Sequence, residues 1–375
     1  MVKRPLLSVI RRMSLLSTVL VSCFVGLLLV ASPATASPPT TTTSTTTTTT
    51  TTNPTTTTTT TNPTTTTTST IPTTTTTTTI PNRPILSWPS QVTAAVAVPQ
   101  LSVVASSPSQ PRVPIASLTK MMTTWVVLHA LPLSPGQNGP CETIGAGDVG
   151  IYKYDVESGQ STAKIVAGMT LCESVLLRGM LVHSAGDYAE LLVMLTGMHQ
   201  PTFVAAMNQY ARALGLRHTH YVDVTGISID DVSTAQDQAT LAADLMTNEA
   251  IVRGIVSLPR TLLPVAGVVQ SFTPFVGQGG VVGVKSGFTG AAGGCDVMAV
   301  QFHLMNTVIT TYAVVLGAHG NDPLGTAGTD ALALSRSIRS SIARVVTSTG
   351  LQIQWIGSPA DLMTPSKISK ARNKV

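Results

Sequence analysis

The chain of 375 residues predicts an α+β domain. Three observations carry this. Short β-branched runs lie near both ends of the stretch from residue 84 to 358. Segments with helical periodicity fill its middle. Hydrophobic residues make up 43% of the chain but aromatics only 4%, so the core is expected to be Val, Leu, Ala and Met. A stretch of roughly 270 residues is ample for one sizeable core. Strands at both ends with helices between them place the terminal segments in one shared sheet.

Taken in order, Thr93 to Val98 and Leu101 to Ala105 are expected strands around Pro99. Ala116 to Ala130 predicts a buried helix opening at Ser117. Leu171 to Leu181, Asp187 to Leu195 and Pro201 to Leu214 follow as helices, the last stopped by Gly215. Val281 to Val284 is a strand that Lys285-Ser286-Gly287 should end, before a glycine-rich turn. Asp296 to Phe302 and Thr307 to Leu316 are strands, and Ala331 to Val346 is an amphipathic helix.

The flanks have other compositions. In residues 1–36, Lys3, Arg4, Arg11 and Arg12 precede an apolar run to Ala31 and an Ala34-Thr35-Ala36 cleavage pattern, which reads as an export signal; an uncleaved signal anchor is the rival. Residues 37–83 are threonine-rich with prolines at 54, 63, 72 and 81. Such a segment cannot bury enough to offset its ordering entropy and is expected to be a disordered stalk. Residues 359–375 form a basic, disordered tail. The net charge of +5 comes from the two ends: the four cations named above and Lys367, Lys370, Arg372 and Lys374 leave the stretch between them at −3. A basic surface for nucleic acid is not implied. The expected location is extracytoplasmic, secreted or membrane-tethered at a cell wall by the N-terminal segment. Beyond Cys23, an oxidising compartment leaves Cys141, Cys172 and Cys295 to give one disulfide and one buried thiol, in a pairing the sequence does not fix. No Cys/His spacing resembles a metal site, and no cofactor is implied.

The candidate chemistry starts at Ser117 and Lys120, which are i and i+3 and so share a helix face. A serine hydroxyl needs a base before it attacks a carbonyl, and a desolvated lysine can serve near neutral pH. The helix around Lys120 is apolar (Met121, Met122, Trp125, Val126), which argues against an incidental surface lysine. Lys285 beside the Ser286 hydroxyl can bind a substrate carboxylate, and Gly287 lets a substrate lie against edge backbone.

The ordered set Ser-x-x-Lys, second Ser and Lys-Ser/Thr-Gly is that of serine acyl-transferring enzymes. Through Ile115-Ala-Ser-Leu-Thr-Lys-Met-Met122, Leu181-Val-His-Ser-Ala-Gly-Asp187 and Val284-Lys-Ser-Gly-Phe-Thr-Gly290, the chain resembles the D-alanyl-D-alanine carboxypeptidases. These are low-molecular-weight penicillin-binding proteins of peptidase family S11, here in their actinobacterial form. The resemblance implies a β-lactamase/DD-peptidase-like fold: a five-stranded antiparallel sheet flanked by helices, plus a helical subdomain carrying Ser184. It implies Ser117 as nucleophile, Lys120 as base and Ser184 as proton relay. Lys285, Ser286, Gly287 and Phe288 would bind substrate, with the Ser117 and Phe288 N–H groups as oxyanion hole. The partners implied are peptidoglycan stem peptides ending in D-Ala-D-Ala, which the enzyme trims, and β-lactams as covalent inhibitors. No Glu-x-x-Leu-Asn follows Ser184, which argues against a class A β-lactamase.

Two positions depart from the family pattern. Lys-Thr-Gly is Lys285-Ser286-Gly287, which keeps the hydroxyl. Ser-x-Asn is Ser184-Ala185-Gly186, which loses an amide aimed at substrate, an interaction of about 1–3 kcal/mol. Asp187 or a water is the expected stand-in, and Gly186→Asn is expected to raise acylation by about one to two orders of magnitude. The alternative is a catalytically impaired relative that binds stem peptides or regulates wall enzymes.

Overall fold

The computed structural model describes residues 86–348, Met305 excepted. The expected export segment, the stalk and the basic tail lie outside the described residues. In chain order the described elements are β1 (Thr93–Val98), β2 (Val103–Ser106), β3 (Val113–Pro114), α1 (Thr119–Ala130), β4 (Cys141–Thr143), α2 (Ala146–Glu157), β5 (Thr170–Cys172), α3 (Glu173–Val182), α4 (Gly186–Leu195) and α5 (Gln200–Ala213). They continue with β6 (Val232–Ser233), α6 (Ala235–Asn248), α7 (Ala250–Val256), β7 (Arg260–Leu263), β8 (Gly267–Gln270), β9 (Val281–Thr289), β10 (Gly293–Leu304), β11 (Thr307–Ala318) and α8 (Pro323–Ser348).

The main sheet is five-stranded and antiparallel, in the order β2-β1-β11-β10-β9. The two ends of the domain do share it: β1 pairs with β11, Thr93 opposite Leu316 through Ala97 opposite Tyr312. Successive side chains of a strand point to opposite faces. Ala95 and Ala97 therefore enter one core with the helices of the middle of the chain, while Ala94, Val96 and Val98 enter a second with Ala331, Leu334 and Ile338 of α8. Both faces of the sheet are covered, so β1 reads as a continuous apolar run rather than an alternating one.

α1 is buried from Thr119 to Leu128, without a solvent face. Its threonines tolerate this because Thr124 Oγ1 donates to Lys120 O (2.7 Å) and Thr123 Oγ1 to Val224 O (2.7 Å). The disulfide joins Cys141 and Cys172, facing residues of β4 and β5, and leaves Cys295 as the buried thiol, its pKa pushed up to about 12 by burial.

Several boundaries differ from the sequence expectations. Lys285-Ser286-Gly287 does not end a strand; it lies inside β9, which runs on through Thr289. A serine and a glycine lower strand propensity, but pairing with β10 as far as Gly293–Thr289 overrides it. β2 begins at Val103 because Pro99–Leu101 forms a 3-10 turn and Ser102 takes φ 52°. The stretch at 171 opens as β5, and its helix starts at Glu173. α8 starts at Pro323, eight residues before the expected Ala331; Gly325 and Gly328 weaken the local signal, while Pro323 at the start and Asp322, whose Oδ1 accepts the Gly325 N–H (3.0 Å), supply the N-terminus.

Candidate active site

Ser117 stands on a single 3-10 turn, Ala116–Leu118, that feeds α1; Ala116 takes φ 48° there. The turn sets Ser117 partly open to solvent and drops Lys120 into the interior, 2% exposed. Lys120 Nζ donates to Ser117 Oγ at 3.0 Å and to the Thr225 carbonyl at 2.7 Å. Burial lowers the Lys120 pKa to about 8 against the opposing charges of Asp223, Asp155, Asp187 and Asp231. A lysine that gives up its proton at this pH, on the hydroxyl it must deprotonate, is poised as a general base.

The Thr225 carbonyl belongs to a loop the sequence analysis did not single out. Asp223 Oδ1 accepts the N–H groups of Thr225 and Gly226 (both 2.6 Å), and Oδ2 that of Ser228 (2.7 Å). Asp231 closes the loop, accepting from Val222 N (2.6 Å) and Thr119 Oγ1 (3.0 Å). Burial and Asp223 push its pKa up to about 7. The legible signal was Asp223-Val-Thr-Gly226, an aspartate that organises a turn over the residues after it.

Ser184 occupies the joint between α3 and α4 in the left-handed region (φ 62°), 4% exposed. A non-glycine residue held there is a local cost that the surrounding packing sustains. Lys285 Nζ donates to Ser184 Oγ at 2.9 Å and to the Ser286 carbonyl at 2.7 Å. Lys285 is fully buried, and burial with the charge of Lys120 holds its pKa well below the usual lysine range; Asp296 on β10 opposes this. The structure thus brings Ser117, Lys120, Ser184 and Lys285 together as two hydrogen-bonded Ser–Lys pairs whose lysines sense one another.

The remaining expected residues lie on β9, the edge strand of the main sheet. A Cβ on Gly287 would stand 2.6 Å from the Ser117 nitrogen and 3.1 Å from Ala116 Cβ, so only glycine lets β9 approach the nucleophile's turn this closely. Ser286 is 1% exposed and its hydroxyl has no hydrogen-bond partner. Phe288 is half exposed. His183, just before Ser184, tilts against Phe272 (ring centroids 4.5 Å apart), and its Nδ1 meets the Gln270 carbonyl at 3.2 Å, so the β7–β8 hairpin buttresses this wall.

Asp187, the expected stand-in for the missing amide, has one carboxylate oxygen, Oδ2, without a hydrogen-bond partner. It is fully buried, its Oδ1 accepts the Ala163 N–H (3.1 Å), and burial pushes its pKa up to about 7. Glu190, one turn along α4, is likewise raised by burial to about 7. Among the described residues no His, Cys, Asp and Glu side chains group in threes to hold a metal ion.

The family described as D-alanyl-D-alanine carboxypeptidase (Peptidase_S11) matches residues 89–320. D-alanyl-D-alanine carboxypeptidase DacA of Escherichia coli K12 is 34% identical over 132 residues, 35% of this chain and 32% of that protein. D-alanyl-D-alanine carboxypeptidase DacF of Bacillus subtilis 168 is 26% identical over 220 residues, 56% of this chain and 52% of DacF. The chain thus spans about a third to a half of the length of these two relatives. The solved Streptomyces K15 DD-transpeptidase superposes with a TM-score of 0.58 at 21% identity, over 68% of this chain and all of that one. At that identity the likeness is one of fold.

Proposed function

This chain belongs to the D-alanyl-D-alanine carboxypeptidase family, and we propose that it is a serine peptidase that removes the terminal D-Ala from peptidoglycan stem peptides through an acyl-enzyme. The observation that carries this is the pair of buried Ser–Lys hydrogen bonds, Lys120 to Ser117 at 3.0 Å and Lys285 to Ser184 at 2.9 Å. A protein that had abandoned the chemistry would have no reason to keep two buried lysines on two hydroxyls, because burying ammonium groups costs free energy that only use offsets. That favours the enzyme over the stem-binding alternative.

The stem's terminal carboxylate enters beside β9. An anion next to Lys285 restores the ammonium form that burial disfavours, so substrate binding and proton uptake at Lys285 are coupled. Neutral Lys120 takes the Ser117 Oγ proton as Oγ bonds to the carbonyl carbon of the scissile peptide. Negative charge on the carbonyl oxygen is met by the Ser117 and Phe288 N–H groups. The C–N bond then breaks, and a proton passes through Ser184 to the departing D-Ala amine. Water adds to the ester by the reverse order of proton transfers and frees Ser117. A β-lactam acylates the same serine, but its leaving amine stays tethered in the adduct, so β-lactams are covalent inhibitors. The disulfide on β4–β5 supports an oxidising, extracytoplasmic location, as do the export-type segment and the threonine stalk in the sequence.

The test is D-Ala release from a synthetic stem peptide ending in D-Ala-D-Ala, as free acid and as terminal amide. The free acid is expected to react at least about tenfold faster, the worth of one charge-assisted hydrogen bond. Equal rates would remove Lys285 as the carboxylate's partner, and no release from either would refute the activity.

A further inference from the structure

Two buried polar side chains face each other across the β9–β10 ladder. Asp296 stands opposite Ser286, as Val297 does opposite Lys285. Asp296 is fully buried and Ser286 is 1% exposed. Neither side chain is bonded in this structure: the Ser286 hydroxyl and both Asp296 oxygens lack a partner. Of the described buried side chains with unpartnered polar atoms, these are the two that a strand ladder sets opposite one another.

Strand alternation fixes the face they share. Lys285 Nζ reaches Ser184, and Gly287 lies against the Ser117 turn, so both face the nucleophile's side of the sheet. Ser286 between them points to the other side. On β10, Cys295 and Val297 enter the core shared with the middle helices, while Met298 enters the core under α8; Asp296 shares the side of Met298. The start of α8 closes over this end of β10, where Gly294 lies so near the Pro323 carbonyl that a Cβ would not fit. The Ser286 hydroxyl therefore faces α8 and not the cleft. A carboxyl sealed there is neutral: burial pushes its pKa well above the usual carboxylate range, with Lys285 opposing. A neutral carboxyl and a hydroxyl can each donate and accept. Side chains directly opposite have Cβ atoms about 4.5–5.5 Å apart, so turning one χ1 joins these two.

The main chain of Ser286 serves the active site. Its carbonyl accepts from Lys285 Nζ at 2.7 Å, beside the 2.9 Å bond from Lys285 to Ser184. β9 is the edge strand, so its ladder comes from β10 alone. We propose that Asp296 is a positioning residue: bonded to the Ser286 hydroxyl behind the sheet, it holds the Ser286 carbonyl where that carbonyl aims Lys285 at Ser184 and at the substrate's carboxylate. The effect on the carboxylate rests on the acyl-transfer reading; the Asp296–Ser286 bond does not. An idle carboxyl would be a liability here, since an apolar residue of similar size would fill the place with no loss of stability.

The test uses Asp296→Leu, which fills the place without a polar group, and Asp296→Asn, which can still meet the hydroxyl. The preference for a stem peptide ending in the free acid over its terminal amide is expected to fall about 3- to 10-fold in Asp296→Leu, the worth of one neutral hydrogen bond, and to stay near its original value in Asp296→Asn. The melting midpoint of Asp296→Leu is expected to hold or rise, which separates the loss from misfolding. Infrared spectroscopy reads the pair directly. The carbonyl stretch of the neutral carboxyl, identified by its disappearance in Asp296→Asn, is expected to move to higher frequency in Ser286→Ala, where the hydroxyl is gone. An unchanged preference in Asp296→Leu overturns the proposal, as does a carboxyl band that Ser286→Ala leaves in place, or no such band in the unaltered protein. If the unaltered protein releases D-Ala from neither peptide, the activity reading fails, while the infrared band still decides whether Asp296 and Ser286 are bonded.

Discussion

On its sheet side the cleft is bounded by main chain; on its helical side it is bounded by buried charge. β9 offers an open edge, a glycine in contact with the Ser117 turn and one lysine reaching inward. The helical wall offers Ser184 in a left-handed joint, a fully buried Asp155 with one oxygen unpartnered, and Asp187 and Glu190 with raised pKa values. The sheet wall therefore acts mainly through where it puts main chain, and the helical wall through buried side chains.

The comparison breaks first at the lysine the two walls share. Lys120→Arg keeps a cation but cannot give up its proton, so no acylation by a fluorescent penicillin is expected. An acylated arginine variant would show that the base lies elsewhere. On the sheet wall, Gly287→Ala puts a methyl 2.6 Å from the Ser117 nitrogen. Acylation is expected to fall about 10²- to 10³-fold, the usual worth of an oxyanion donor. Melting curves should show a much smaller change; a variant that keeps its rate would mean the N–H of Ser117 is not where charge develops.

The two serines and two lysines were more legible than the groups packed behind them. Ser117, Lys120, Ser184 and Lys285 are legible by residue type and order, and they pair as Ser117 with Lys120 and Ser184 with Lys285. The sheet that joins both ends of the domain was also legible, from β-branched runs at each end. Asp155 was not. It is buried between the exposed Tyr154 and Val156, so periodicity does not mark it. The Thr225 carbonyl was missed for a different reason: a main-chain acceptor has no residue type to read. Lys285-Ser286-Gly287 reads as a strand end from its composition, and the pairing with β10 makes it part of the strand.

Smaller effects separate the walls by stability. Reduction of Cys141–Cys172, which closes a separation of 31 residues beside α3, is expected to destabilise the domain by about 3–4 kcal/mol. Calorimetry with and without a reductant checks it, and an unchanged midpoint would mean β4 and β5 need no tether. The buried acids of the helical side give the smallest and most distinctive signature. Asp187, Asp231, Glu173 and Glu190 all have pKa values raised to about 7. A carboxyl raised on folding stabilises fully below its unfolded pKa, and that contribution is lost as pH climbs through about 7. Lys120, lowered to about 8, works the other way, but only between 8 and its unfolded value of 10.5. The melting midpoint should therefore fall between about pH 5 and pH 8; a rise across that range would mean the acids are already ionised.

The central claim is that Ser117 is a nucleophile armed by Lys120, and intact-protein mass spectrometry after incubation with benzylpenicillin tests it most directly. One adduct of one penicillin is expected, mapping to the peptide that holds Ser117 and absent from Ser117→Ala. No adduct on the folded protein, or an adduct that persists in Ser117→Ala, would contradict it.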